Sequence, residues 1–242
     1  MREDLHTGAV IIHIILVVYN TVMAIRCAYN KVFFETWSPG MAYILGFLFA
    51  DGNIVQNKRG GCYVAFYTAD KKLLLSMRSE MASHHKVSKR NVRSGNVYRL
   101  QIGSKKFFSD LYTLGLSPGK ARRMNFPNIP NEFLGDFIRG YFDGDGNVWK
   151  GRVHRERKNK AFALQASFTS ASHEFLSFLL KRLRGVGIHG GSLFRIKTKN
   201  ASRLTLATQD ALKLAEFMYN ADCKLYLPRK REVFAQFENM RA

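Results

Sequence analysis

Two runs of this chain are apolar almost end to end and carry a small residue every fourth place. They are Ile44-Leu-Gly-Phe-Leu-Phe-Ala-Asp-Gly52 and Ile138-Arg-Gly-Tyr-Phe-Asp-Gly-Asp-Gly146. Residues four apart share a helix face, so Gly46 with Ala50, and Gly140 with Gly144, predict two helices with small-residue stripes. Two such stripes allow the helix backbones to approach closely and bring the two carboxyl ends side by side. Ser38-Pro39 supplies a cap and a first helical residue for the first run, and Gly52 a stop.

Behind each run the pattern changes to period two, which predicts strands with one buried and one wet face. Tyr63-Val-Ala-Phe-Tyr67 leads through Thr68–Asp70 into a helical run from Lys71 to Ser83, and Gln165-Ala-Ser-Phe-Thr169 leads through Ser170–Ser172 into one from His173 to Arg184. A second strand pair follows in each copy. Val97, Arg99 and Gln101 fall on the wet face opposite Tyr98, Leu100 and Ile102, and Arg203 and Thr205 fall opposite Leu204 and Leu206. In the partner strand, Phe194 and Ile196 are expected inward and Arg195 and Lys197 outward. Closing helices run from Lys105 to Gly115 and from Gln209 to Asn220. The expected class is α+β, as two αββαββα repeats over residues 38–116 and 131–242, joined by a proline-containing linker at 117–130.

Residues 1–37 form an N-terminal extension. Its stretch 9–25 is apolar apart from His13, Asn20 and Thr21. It reads as an extra helix or a poorly packed extension of the core, with a membrane or targeting role, or an upstream reading-frame extension, as the alternatives. Lys150 to Lys160 reads as a basic hairpin insertion in the second copy. Cys27, Cys62 and Cys223 are odd in number and widely spaced, which fits an intracellular, reducing compartment rather than a disulfide framework or zinc ribbon. His84-His85 reads as a surface turn.

Charge sharpens the picture. The 242-residue chain has 38 Lys and Arg against 18 Asp and Glu, a formal net charge of +20, so its favoured partners are nucleic acid or an anionic surface. Against that excess, Asp51 and Asp145 stand at matched points of the two apolar runs, 94 residues apart. One Asp-Gly is common turn chemistry. Two, each five residues beyond a helix-face glycine, point instead to paired hard oxygen ligands for Mg²⁺ or Mn²⁺ at two helix ends. Asp143 has Phe49 as its counterpart and reads as a local cap or turn ligand.

The paired motifs YILGFLFADG and FIRGYFDGDG resemble those of the LAGLIDADG (dodecapeptide) homing endonucleases in their single-chain, two-repeat form, over residues 38–238. The resemblance implies a pseudo-twofold saddle whose antiparallel sheet faces the major groove of double-stranded DNA. It further implies a monomer without an obligate protein partner, encoded by a mobile intron or a free-standing gene, that cuts both strands at a long asymmetric site in a metal-dependent way. By position Asp51 and Asp145 would be the metal ligands and catalytic acids. Lys120 and Lys230 (with Arg229 as the alternative) would be basic residues near the scissile phosphates, with a phosphate clamp or a solvated charge as the other reading. If the wet face meets DNA, Tyr63, Arg93, Arg99, Gln101, Gln165, Ser167, Arg195, Lys197, Arg203 and Thr205 point toward it. Lys58 and Arg59, in a turn, would hold phosphates, and Arg152, Arg155, Arg157 and Lys158 the backbone or flanking duplex. An intron-RNA-binding maturase and a cleavage-deficient DNA-binding regulator are the alternatives on the same scaffold.

Overall fold

The computed structural model describes residues 15, 17, 18, 28–92, 95–119, 124–153, 161–198, 200–220 and 223–241. The first half runs α1 (Pro39–Asp51), β1 (Gly52–Gln56), β2 (Cys62–Thr68), α2 (Lys71–Glu80), β3 (Val87–Val92), β4 (Gly95–Gly103) and α3 (Lys105–Thr113). A single 3₁₀ turn, Asn131–Phe133, opens the second: α4 (Leu134–Asp145), β5 (Gly146–Val153), β6 (Ala161–Ser170), α5 (His173–Gly185), β7 (Ser192–Ile196), β8 (Ala201–Leu206) and α6 (Thr208–Met218). A further helix, α7 (Pro228–Asn239), follows. Each half has one four-stranded antiparallel sheet, in the orders β1-β2-β4-β3 and β5-β6-β8-β7.

Local chemistry sets the helix starts alike in both halves. Asp70 accepts from Leu73 N at 2.9 Å and Ser172 accepts from Phe175 N at 3.2 Å, each satisfying an orphan amide. The residue two before each cap is also matched, since Thr68 Oγ1 and Ser170 Oγ accept from Asp70 N and Ser172 N, both at 3.1 Å. Ser38 caps α1 as expected, accepting from Met41 N at 3.1 Å with Pro39 in the first turn.

Helix α1 is buried from Met41 to Phe49 because it lies between α4 and its own sheet. Such a helix has no polar face to spare. The core continues through Val64, Phe66, Leu100 and Ile102 under the first sheet and Ala166, Phe168, Leu204 and Leu206 under the second.

Two expectations are corrected, at the insertion and at His85, and one helix is additional. Residues 150–153 extend β5 rather than opening a loop, and the rest of the insertion lies outside the described residues. Helix α7 was not anticipated, although Pro228 at its first turn and the spacing of Val233, Phe234 and Phe237 are its signals. His84 is exposed, but His85 is half-buried, its ring 5.8 Å from that of Tyr29. Most of the apolar stretch 9–25 lies outside the described residues, and its described members Ile15, Val17 and Val18 are helical and exposed. Among the described residues no helix is long and apolar enough to cross a membrane.

Candidate metal centre and nucleic-acid interface

The helices α1 and α4 touch backbone to backbone. A Cβ on Gly46 would collide with the Phe137 carbonyl and lie 2.9 Å from Tyr141 N. A Cβ on Gly140 would collide with the Tyr43 carbonyl and lie 3.0 Å from Phe47 N. Adding 94 to 43, 46 and 47 gives 137, 140 and 141, so the two contact sets exchange under the repeat, the signature of a pseudo-twofold interface. Residues 50 and 144 are related by the same shift and meet each other: a Cβ on Gly144 would collide with Ala50 Cβ and lie 3.4 Å from Asp51 N. The pseudo-axis therefore passes beside Ala50 and Gly144, and Asp51 and Asp145 follow directly on its two sides.

Both aspartates are exposed, and both carboxylates act electrostatically on the buried Tyr141 and Lys230. The carboxyl ends of two helices reinforce that negative field. The Asp-Gly pairs are not turns. Helix passes straight into strand, with Gly52 opposite Phe66 and Gly146 opposite Phe168 as the first rungs of the sheets. Gly52 and Gly146 have extended backbones (φ −89° and −81°), so their role as stops is not left-handed geometry. Glycine is there for room: a Cβ on Gly52 would stand 2.5 Å from Leu48 Cα, and one on Gly146 2.5 Å from Phe142 O.

The two sides of the crossing differ in polarity. Asp143 is no local cap. Its Oδ2 accepts from the Tyr43 hydroxyl of the other half at 2.8 Å and from Leu227 N at 2.8 Å. Burial pushes the Asp143 carboxyl up to about 6, partly countered by the Tyr43 hydrogen bond and the Lys230 charge. Lys230 is neither solvated nor a free surface charge: its Nζ donates to the carbonyls of Phe142 (2.5 Å), Asp143 (3.0 Å) and Gly146 (2.5 Å). It thus ties α7 to the carboxyl end of the helix that carries Asp145. Burial pulls its pKa down to about 8 against the pull of Asp143, Asp51 and Asp145. Arg229 is exposed, and Lys120 lies outside the described residues.

The wet sheet faces can be read from register, because directly paired residues share a face. In the first sheet Asn53 pairs with Ala65 and Ala65 with Gln101, while Tyr67 pairs with Arg99 and Arg99 with Ser88. Tyr63 lies on the same face, over Gly103. In the second sheet Asn147 pairs with Ser167 and Ser167 with Thr205, while Thr169 pairs with Arg203. So Tyr63, Arg99, Gln101, Gln165, Ser167, Arg203 and Thr205 do share the faces turned away from the core, although Ser167 is itself buried.

Strand β7 reverses the expectation. Phe194 pairs with the exposed Arg203, and Arg195 with the buried Ser202. Phe194 is therefore on the wet face and Arg195 on the helix side, beside His173 and Glu174. A one-residue slip of register inverts every side chain of a strand, and β7 carries apolar residues at both parities. Lys197 lies beyond the end of β7, in a turn. Arg152 is exposed but pairs with Phe162, on the parity of Val148 and opposite to Trp149. Lys58 and Arg59 occupy the β1–β2 turn, where Asn57 Oδ1 accepts from Arg59 N at 3.0 Å. Arg93, Arg155, Arg157 and Lys158 lie outside the described residues. The wet faces further carry Tyr67 and Thr169, on the expected strands β2 and β6, and Arg90, Asn53, Asn147 and Trp149, on β3, β1 and β5, whose alternation is the signal for them.

Residues 132–216 match the family model of the LAGLIDADG-like domain. The fold of both halves matches solved LAGLIDADG enzymes. The LAGLIDADG meganuclease I-AabMI bound to uncleaved DNA is 13% identical, covers 85% of this chain and 91% of its own, and superposes with a TM-score of 0.57. I-SmaMI bound to its uncleaved DNA target in the presence of calcium ions gives 13%, 85%, 93% and 0.56. I-DmoI in complex with DNA and Mn gives 14%, 76%, 98% and 0.52. At these identities the likeness is one of fold. No curated protein sequence matches the chain.

Within this LAGLIDADG fold, the residues at the crossing fit a divalent cation. Asp51 and Asp145 are exposed hard-oxygen donors in a field that two helix ends make more negative. Among the described residues no group of three or more His, Cys, Asp or Glu could hold a metal, so substrate oxygens and water would have to complete the shell.

Proposed function

We propose that the protein is a sequence-specific endonuclease that hydrolyses both strands of duplex DNA with Mg²⁺ or Mn²⁺, acting as a monomer on a long asymmetric site. The observation that carries this reading is the exchange of helix contacts under the 94-residue shift, which leaves one carboxylate on each side of the pseudo-axis. A symmetric pair of acids suits two strands of opposite polarity. Asp51 and Asp145 would hold the cation, whose chemistry is to polarise a phosphoryl oxygen and acidify bound water. Without it, two carboxylates and two helix ends would repel a phosphate.

The surrounding residues serve binding. Arg99, Gln101, Gln165, Arg203 and Thr205 can address base edges from the sheet faces, while Lys58 and Arg59 can hold phosphates from their turn. The net charge of +20 supplies the nonspecific attraction. The matched structures are described with DNA, which supports a DNA partner rather than intron RNA.

The test is cleavage of a plasmid library that includes the DNA flanking the gene's insertion point, in Mg²⁺, Mn²⁺ or EDTA. Linear product that needs metal and vanishes in the Asp51→Asn/Asp145→Asn double variant is expected. Tight, salt-sensitive binding with no cutting in any metal would replace the nuclease by a DNA-binding regulator, and preference for folded intron RNA would replace it by a maturase.

A further inference from the structure

The wet faces are not uniformly polar. Trp149 is 43% exposed and Phe194 is 46% exposed, and both lie on the face that carries Gln165, Arg203 and Thr205. Val55, the counterpart of Trp149 one repeat earlier, is 40% exposed on the matching face of the first sheet, opposite Tyr63. Covering an exposed ring with apolar surface is favourable by about 25 cal/mol for each Å² removed from water.

The Trp149 indole is held in place. A Cβ on Gly151, two residues along the same strand and so on the same face, would collide with Trp149 Cζ2 and stand 3.0 Å from Cη2. The ring therefore lies along β5 over a glycine that leaves it room, an arrangement that presents its other side outward. Phe194 is placed by β7 directly opposite Arg203, whose guanidinium can bond a phosphate or a guanine edge. The neighbours that pairing gives the two rings, Gln165 and Gly151 for Trp149 and Arg203 for Phe194, are neutral or cationic, and on a chain of net charge +20 they fit a partner that is anionic overall yet apolar at two points.

Duplex DNA offers that combination in its major groove, where thymine alone among the four ordinary bases projects a methyl group. Building on the nuclease reading, we infer that Trp149 and Phe194 are specificity-determining residues that read thymine methyl groups at two positions of the target. Trp149 stands four residues beyond Asp145, about 13 Å along an extended strand. Phe194 is three strands across from β5 in the same sheet, about 14 Å at ordinary strand spacing. The two rings are therefore displaced from Asp145 in different directions, one along β5 and one across the sheet, so the two thymines are distinct. Arg203 and Gln165 beside them read the neighbouring pairs.

Selection from a randomised duplex library tests this. The wild-type protein is expected to enrich thymine at two positions, and Trp149→Ala and Phe194→Ala each to lose the enrichment at one of them while keeping the rest of the site. On the selected duplex, deoxyuridine in place of either thymine should weaken wild-type binding roughly fourfold, the value of burying one methyl group. The corresponding alanine variant should be indifferent to that exchange, and 5-methylcytosine in a matched cytosine duplex should restore part of the loss. Unchanged thymine enrichment in both variants, with deoxyuridine still costly to each, would overturn the assignment and leave the nuclease reading standing. Failure of the wild type to select any duplex would remove both. Both positions are exposed, and unchanged thermal melting of the variants confirms that folding is intact.

Discussion

The Tyr43 hydroxyl donates to Asp143 Oδ2 at 2.8 Å, joining the helix of one half to the helix of the other. The residues related to them by the 94-residue shift are Phe137 and Phe49, whose rings meet edge to face with centroids 5.5 Å apart. One pseudo-symmetric contact is thus polar on one side of the axis and aromatic on the other. Asp143→Ala would leave the Tyr43 hydroxyl and Leu227 N without their acceptor in buried surroundings. We expect a loss of about 3 kcal/mol, read by denaturant titration, and about half of it for Tyr43→Phe. Losses below about 0.5 kcal/mol in both would show that the network is not holding the halves together.

Gly46→Ala and Gly140→Ala should behave as a matched pair. Each introduces a methyl group against a backbone carbonyl of the facing helix, which no rotamer change can relieve. A loss of about 3 kcal/mol or more is expected for each, with Tm lowered by about 6–12 °C. Strongly unequal shifts would break the proposed equivalence of the two contacts.

Asp51→Asn and Asp145→Asn, taken singly, should convert double-strand cutting into nicking of one strand each, the two variants nicking opposite strands. Supercoiled plasmid bearing the target would accumulate as open circle, and strand-specific labelling would assign the nick. Linear product at wild-type rate from either single variant would show that its carboxylate is dispensable.

Lys230→Met removes the donor to three carbonyls at the end of α4. A loss of about 2–4 kcal/mol is expected without DNA or metal present. A lysine whose work was only to touch phosphate would leave that stability unchanged and weaken DNA binding alone, so the two measurements together separate the roles.

His85 has its pKa lowered from 6.5 by burial, and its Nδ1 lies 3.0 Å from Ser83 Oγ. The folded protein binds this proton less readily than the unfolded chain does. The His85 contribution is therefore fully present above about pH 6.5 and is lost as pH falls through the lower folded value. His85→Gln should flatten the acid side of the stability profile, and an unaltered profile would count against it.

Much of the architecture was legible in the sequence, and so was the candidate pair of acids. Small residues four apart, caps at Ser38, Asp70 and Ser172, and alternation in β2, β4 and β8 are local signals, and the repeat doubles all but the Ser38 cap, which has no side-chain counterpart at α4. The place of Lys230 was not legible, because its partners are more than 80 residues away in the chain. Helix α7, which carries it, has no counterpart in the other copy to draw attention to it among the described residues.

The sequence by itself determined what short-range chemistry can specify: most of the helices and the alternating strands, that two halves repeat, and that Asp51 and Asp145 occupy equivalent positions. The tertiary structure decided the rest. Only pairing with β8 shows that β7 turns Phe194 outward and Arg195 inward, because alternation defines two faces without saying which one is buried. Only the helix crossing shows that Asp143 meets Tyr43 while Phe49 meets Phe137, because burial and hydrogen bonding across the axis depend on residues far apart along the chain.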